Sequence, residues 1–245
     1  MSARGKLVIK VGGSILFKNE NLDITLMSTW VDLILGASSK CKLAIVVGGG
    51  KLARKYIDWA RDLNLSEFFC DTIGIHVSRL NAMLVLGALR TKNKTLKVAQ
   101  RIPTNPFEVA ELISLYNIVV CGGFIPGQST VGVASEVAEA VGSKYMLVAT
   151  DVDGIYSKDP KKFPDAIRYR SIGISELMEQ FKVSKHKAGT YRLFDMQSLK
   201  ILERSKIICI VFNGRKIEIA KKVVEYVLRE NVHDIEDLAT VVYPD

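Results

Sequence analysis

Leu43-Ala-Ile-Val-Val-Gly-Gly-Gly-Lys-Leu-Ala-Arg54 is an apolar strand that runs straight into three glycines, and a helical pattern follows at once. Consecutive glycines at a strand-to-helix junction let backbone N–H groups approach a bulky anion with no Cβ in the way. The start of the helix adds partial positive charge, so phosphate is the natural guest. Arg54, about one turn into the helix, carries a planar forked donor that can close on it. A tight turn with a solvated arginine has the same local sequence, and short glycine motifs also arise by chance.

Three other segments repeat the pattern. Leu7-Val-Ile-Lys10-Val-Gly-Gly-Ser14 opens the chain as a strand running into glycines. Ile118 to Cys121 runs into Gly122-Gly-Phe-Ile-Pro-Gly-Gln-Ser-Thr130. Tyr145 to Ala149 runs into Thr150-Asp-Val-Asp-Gly-Ile-Tyr156, then Lys158-Asp-Pro160. In an open α/β sheet, ligands sit beyond the carboxyl ends of the strands. These exits therefore point to one shared site.

The 245 residues suffice for one large α/β domain with a sizeable core. Composition is that of a soluble globule, with 48% hydrophobic and 24% charged residues and no low-complexity tract. No apolar run reads as the ~20 residues of a membrane span. Met1 to Lys6 lacks the apolar segment of an export signal, so a cytoplasmic protein without membrane contact is expected. Cys41, Cys70, Cys121 and Cys209 stand far apart in sequence and read as reduced core residues, not as a zinc site. The net charge of +8 is spread through helices beside Glu and Asp, which suits small anionic ligands better than nucleic acid.

The coarse pattern alternates strand and helix. Expected helices span about Leu22–Leu35, Gly50–Leu63 and Asp71–Arg90; another follows Thr104-Asn105-Pro106, read as an N-cap with proline in the first turn. The helix after Thr130 is rich in small residues, which let it lie close to a sheet or a ligand. The second half adds helices near Ile174–Phe181 and Met196–Arg204, strand Ile207–Phe212, helix Ile217–Glu230 and a last strand at Ala239–Val242. Such alternation implies a mostly parallel sheet covered on both faces.

With these residues in view, the chain resembles the amino acid kinase family and, within it, the archaeal uridylate (UMP) kinases. The marks cover nearly the whole chain. They are Lys10-Val-Gly-Gly-Ser14, Gly48-Gly-Gly-x-x-x-Arg54, Asp71-x-Ile-Gly74, Gly122-Gly-x-x-Pro-Gly-x-x-Thr130, Thr150-Asp-Val-Asp-Gly-x-Tyr156 with Asp159-Pro160, and Ala188-Gly-Thr190 followed by Asp195 and Lys200. The resemblance implies a three-layer αβα sandwich of the amino acid kinase, carbamate kinase-like fold. One domain would span residues 1–245, with an acceptor side near 1–142 and an ATP side near 143–245. The implied reaction is phosphoryl transfer from MgATP to UMP, giving ADP and UDP in pyrimidine nucleotide synthesis, with Mg²⁺ carried by ATP and a homohexameric assembly. No GxxxxGK[ST] occurs, since Gly50-Lys51 is followed by Leu52, which argues against a P-loop kinase.

Residue by residue, the resemblance implies that Lys10 contacts the transferred phosphoryl group and that Gly13 and Ser14 bind ATP phosphates. Gly49 would face UMP, while Gly50 and Arg54 would reach nucleotide phosphates. Asp71 would accept hydrogen bonds from the UMP ribose, since a carboxylate offers two acceptors to a diol; as an N-cap of the next helix it would serve structure alone. Phe124, Ile125, Pro126, Gly127, Gln128, Ser129 and Thr130 would wrap the uridine. Thr150, Asp151, Tyr156 and Asp159 would form the ATP side. Aspartate at 151 is similar to the acid by which acetylglutamate kinases orient their lysines, so Asp151 is expected to hold Lys10, and Lys200 as a second lysine. Lys200 reads equally well as a solvated helix residue. Asp195, Thr190 and Tyr191 would shape the ATP pocket or cap a helix.

The chain departs from many relatives in having Val131 where they place an aspartate; Glu136 further along reads as solvated. His76, His186 and His233 have no partners at metal or triad spacing. Two alternatives stay open: another family kinase, acting on acetylglutamate or isopentenyl phosphate, and a non-catalytic nucleotide sensor. The isopentenyl phosphate reading lacks a histidine near the first glycines, and the sensor reading expects loss of Lys10 or the glycines.

Overall fold

The computed structural model describes residues 5–18, 21–183 and 193–245. The chain runs β1 (Lys6–Val11), α1 (Gly13–Leu16), β2 (Phe17–Lys18), β3 (Asn21–Leu22), α2 (Ile24–Ser38), β4 (Lys42–Val47), α3 (Gly50–Asp62) and α4 (Glu67–Lys92). It continues with α5 (Pro106–Leu115), β5 (Ile118–Cys121), α6 (Thr130–Val141), β6 (Tyr145–Thr150), β7 (Ser171–Gly173), α7 (Ile174–Val183), α8 (Met196–Arg204), β8 (Ile208–Asn213), α9 (Ile217–Leu228) and β9 (Thr240–Tyr243).

Seven strands form one sheet in the order β5-β4-β1-β6-β8-β9-β7, parallel except for the β8–β9 pair. The central strands are buried on both faces, which is why they read as unbroken apolar runs. Alternate side chains divide between two cores. Ile9, Ile45, Val120 and Leu147 meet α2, α4 and α9 on one face; Val8, Val46, Cys121 and Val148 meet α5, α6, α7 and α8 on the other. The result is an αβα sandwich.

Local chemistry sets the helix ends. Asn105 Oδ1 accepts from Glu108 N at 2.9 Å with Pro106 behind it, as the sequence predicts. Helix α2 begins later than expected because Asp23 is its cap, accepting from Leu26 N. Helix α4 begins earlier, at Glu67, because Ser66 Oγ accepts from Phe69 N. Asp71 therefore lies inside α4, which overturns its reading as a cap. By length and composition α4 would suffice to cross a membrane, contrary to the sequence-based expectation. Here it packs on the sheet through Ala82, Val85, Leu86 and Leu89. The small residues of α6 serve packing: Val131 through Ser135 are all buried where the helix packs on the sheet, α5 and α8. All four cysteines are buried and none is in a disulfide.

Candidate active site

The four strands that end in polar or glycine-rich exits are neighbours: β5, β4, β1 and β6 lie side by side and parallel. The chain fills the sheet outward from β1 through β4 to β5, then returns to the far side of β1 with β6. The exits thus flank the point where strand order reverses, the place where α/β sheets leave a crevice. Gly48 N donates to Val11 O at 3.0 Å and Gly12 N to Ala149 O at 3.1 Å, so the ladder carries on into the loops and fixes three exits together.

The first two glycine pairs touch. A Cβ on Gly13 would stand 2.5 Å from Gly50 Cα and 2.7 Å from Gly48 O. Gly50 also has φ +67°, a conformation that glycine adopts at no steric cost. The two loops therefore pack backbone against backbone, an approach that a side chain at either position would prevent.

Beyond the ends of β4 and β5, Gly49, Gly50, Asp71, Gly74, Gly123, Ile125, Gly127, Gln128 and Thr130 line one cavity of about 160 Å³. Asp71 Oδ2 accepts from Gly127 N at 2.7 Å and so closes the 122–130 loop over α4. Gln128 turns its amide inward, and both Nε2 and Oε1 are buried without a partner. Phe124 is instead buried in the core, and Pro126 and Ser129 lie off the cavity wall. Ser129 caps α6 through Gly132 N and donates to Asp195 Oδ2 at 2.6 Å. Asp195 also caps α8, so the 122–130 loop and the second half of the chain meet at this carboxylate.

Lys10 lies on the α6 face of the sheet and is 7% exposed. Burial lowers it to about 8, against 10.5 for an ordinary lysine, while the charge of Asp151 pulls the other way. Val131 is buried in the core on this same face. Asp151 does not hold Lys10 by an ion pair: its Oδ2 accepts from Lys161 Nζ at 2.5 Å. Burial raises the Asp151 carboxyl, but the hydrogen bond and charge of Lys161 outweigh it and hold the group below the usual carboxylate range.

The remaining expected residues are more dispersed. Thr150 is buried at the end of β6, beside Asp151. Tyr156 bridges to Arg168, and Asp159 caps the turn that carries Lys161, accepting from Lys161 N at 3.0 Å. Ser14 sits in α1, where its carbonyl accepts from Arg215 Nη1 at 2.8 Å. Arg54 is exposed on α3, and Lys200 is exposed on α8. Glu136 is half-buried and accepts from Gln197 of α8 at 3.2 Å. His76 and His233 are exposed. Ala188, Gly189, Thr190, Tyr191 and His186 fall outside the described residues.

Three residues that sequence reasoning passed over hold the glycine loops. Ser78 Oγ accepts from Gly123 N, Arg79 Nε donates to Gly123 O at 2.9 Å, and Asn81 Nδ2 donates to Gly48 O at 3.0 Å. The signal was present: polar residues interrupt the apolar face of α4, and buried polar groups need partners.

The profile of the amino acid kinase family matches residues 5–213. The chain belongs to the amino acid kinase family. The uridylate kinase of Archaeoglobus fulgidus is 40% identical over 218 residues, spanning 89% of this chain and 95% of that one. The uridylate kinase of Staphylothermus marinus is 39% identical over 97% of this chain and 98% of that one. The crystal structure of the Archaeoglobus fulgidus uridylate kinase superposes with a TM-score of 0.79 at 34% identity, covering 96% of this chain and 99% of that one.

Proposed function

We propose that this protein is a UMP kinase that transfers the terminal phosphoryl group of MgATP to UMP, releasing ADP and UDP. Four parallel neighbouring strands ending in glycine-rich or polar exits carry the reading, because they offer phosphates bare amides and cations at one sheet edge. The acceptor monophosphate lies in the Asp71–Gln128 cavity, with the Asp71 carboxylate toward the ribose. The Gln128 amide presents one donor and one acceptor, which match the adjacent N–H and C=O of a uracil edge. The donor triphosphate lies along Gly13, Ser14 and Gly50, with Thr150, Asp151, Tyr156 and Asp159 on its nucleoside side and Arg54 at the phosphates. On this reading residues near 1–142 form the acceptor side and residues near 143–245 the nucleoside side of the ATP site, with Gly13, Ser14, Gly50 and Arg54 of the first part reaching across to the ATP phosphates.

Phosphoryl transfer asks little covalent chemistry of the protein; it needs the two nucleotides in line and the moving charge stabilised. Lys10 supplies a buried cation between the exits, and the glycine amides hold the flanking phosphates. The donors at the strand ends suit phosphate oxygens, and no group of three or more His, Cys, Asp or Glu that could hold a metal occurs among the described residues. Mg²⁺ would enter with the triphosphate and would help to neutralise its charge. The exposed apolar side chains Trp59, Leu63, Phe68, Leu80 and Met83 along α3 and α4 support association of copies. We take the assembly to be a homohexamer acting in the cytoplasm.

A coupled assay for ADP with a panel of acceptors tests the reading. ADP release is expected with UMP and not with carbamate, acetylglutamate or isopentenyl phosphate, and the reverse pattern sinks the proposal. Gln128→Leu probes the acceptor cavity with two opposite signs. Removing two unpaired buried polar atoms is expected to stabilise the ligand-free protein by about 1 kcal/mol. The same change is expected to raise KM for UMP roughly tenfold, equivalent to about 1.4 kcal/mol. Thermal unfolding and initial rates read the two effects.

A further inference from the structure

Asp151 stands between two lysines of opposite character. Lys161 is on the surface, its side chain 57% exposed, and reaches the carboxylate at 2.5 Å. Lys10 is buried on the α6 face of β1, opposite Val148 of β6, and its Nζ lies 3.4 Å from where a Cβ on Gly12 would stand. Gly12 N is in turn bonded to Ala149 O, two residues before Asp151, whose charge favours the ammonium form of Lys10. The other titratable group that faces Lys10 is Cys209 on β8, which burial keeps a neutral thiol. Across the sheet Lys10 stands opposite Val46 of β4 and Val148 of β6, both apolar. Lys161 is placed by its own turn, since its N–H donates to Asp159 Oδ1 and Asp159 O accepts from Lys162 N and Phe163 N.

We infer that Lys161 is a positioning residue for phosphoryl transfer: by pairing with Asp151 it sets how strongly that carboxylate draws on Lys10. This rests on the kinase reading above. An unpaired Asp151 would pull the buried ammonium into a close ion pair and away from the phosphoryl oxygen it must meet. With Lys161 in place, the carboxylate keeps a residual field that favours the charged form of Lys10 but leaves its Nζ available. An opposite charge within a few ångströms raises a lysine, and neutralising that charge lowers the effect.

The test reads Lys10 directly. In ligand-free protein labelled with ¹³C-lysine, the Lys10 resonance, assigned by its loss in Lys10→Arg, is followed against pH. Its midpoint is expected to rise by about one pH unit in Lys161→Gln and to fall by about one in Asp151→Asn. In parallel, kcat with UMP and MgATP is expected to drop roughly tenfold to a hundredfold in Lys161→Gln. Its alkaline limb should move up, while the KM for UMP stays within about twofold of wild type. Lys161→Arg, which keeps the pair, should restore both. An unmoved midpoint in Lys161→Gln, in a protein whose wild type phosphorylates UMP, overturns the inference and leaves the kinase reading standing. A wild type without UMP-dependent turnover overturns that reading and the inference with it, and the substrate-free titration tells the two failures apart.

Discussion

Replacing Lys10 by methionine is expected to abolish most turnover while making the protein more stable. The side chain is 7% exposed, and burial holds its ammonium at about 8 against an ordinary 10.5. At about 1.4 kcal/mol per pH unit, keeping it charged near neutral pH costs the fold about 3 kcal/mol. The pH dependence has a definite sign. Between about 8 and 10.5 the unfolded chain holds a proton that the folded chain has released, so wild-type stability rises with pH across that window. Below about 8 the full penalty is present in wild type and absent in Lys10→Met. Denaturant unfolding at pH 7 should therefore show the variant more stable by up to about 3 kcal/mol, with the gap closing toward pH 10.5. Turnover at pH 7 should fall by about 10² to 10³, the usual cost of removing one preorganised donor from a developing negative charge. Equal stability of the two proteins across this range would mean that Lys10 is not held as a desolvated cation. Retained turnover would remove it from the reaction.

A buried lysine of this kind is legible in sequence because it interrupts an apolar strand just ahead of a glycine pair. The same holds for most of the frame: strands buried on both faces leave unbroken apolar runs, and the four exits stand out by their glycines and polar residues. Elements of two to four residues, such as α1, β2, β3 and β7, carry too few positions for any period to show. Asp71 was ambiguous because aspartate caps helices well; the start of α4 was decided by Ser66, and Asp71 was left to bind the Gly127 amide one loop away. The Asp151–Lys161 pair was out of reach for another reason. Its partners are brought together by a capped turn at Asp159, and neither helical nor strand periodicity reports on such a turn. The antiparallel addition of β9 beside β8 is likewise a choice of sheet edge that the alternation of elements leaves open.

The contact between the first two exits makes the sharpest demand on residue type, and Gly13→Ala tests it. The added methyl group would stand 2.5 Å from Gly50 Cα and 2.7 Å from Gly48 O, and both of these are backbone atoms. They have little room to retreat. Gly48 N is bonded to Val11 O at 3.0 Å, while Asn81 Nδ2 holds Gly48 O at 3.0 Å and Gly49 O at 3.3 Å. The variant must either strain its backbone or break this lattice, for a cost of about 1–3 kcal/mol. Either response moves the amides that would hold the phosphates, and a displacement of about 1 Å is enough to cost on the order of 10²-fold in rate. Gly36→Ala is the control: Gly36 is exposed in α2 with nothing within 4 Å of a new Cβ. That substitution should add about 0.8–1 kcal/mol of helix stability and leave turnover unchanged. Thermal unfolding and ATP-dependent rates measured on both variants separate the general effect of losing a glycine from the loss of this contact. If Gly13→Ala matched Gly36→Ala in both readouts, close approach of the two exits could not be what forms the phosphate site. The cation at Lys10 would then have to hold the triphosphate without the amides around it, a task that one partly neutralised ammonium cannot meet for so many charged oxygens.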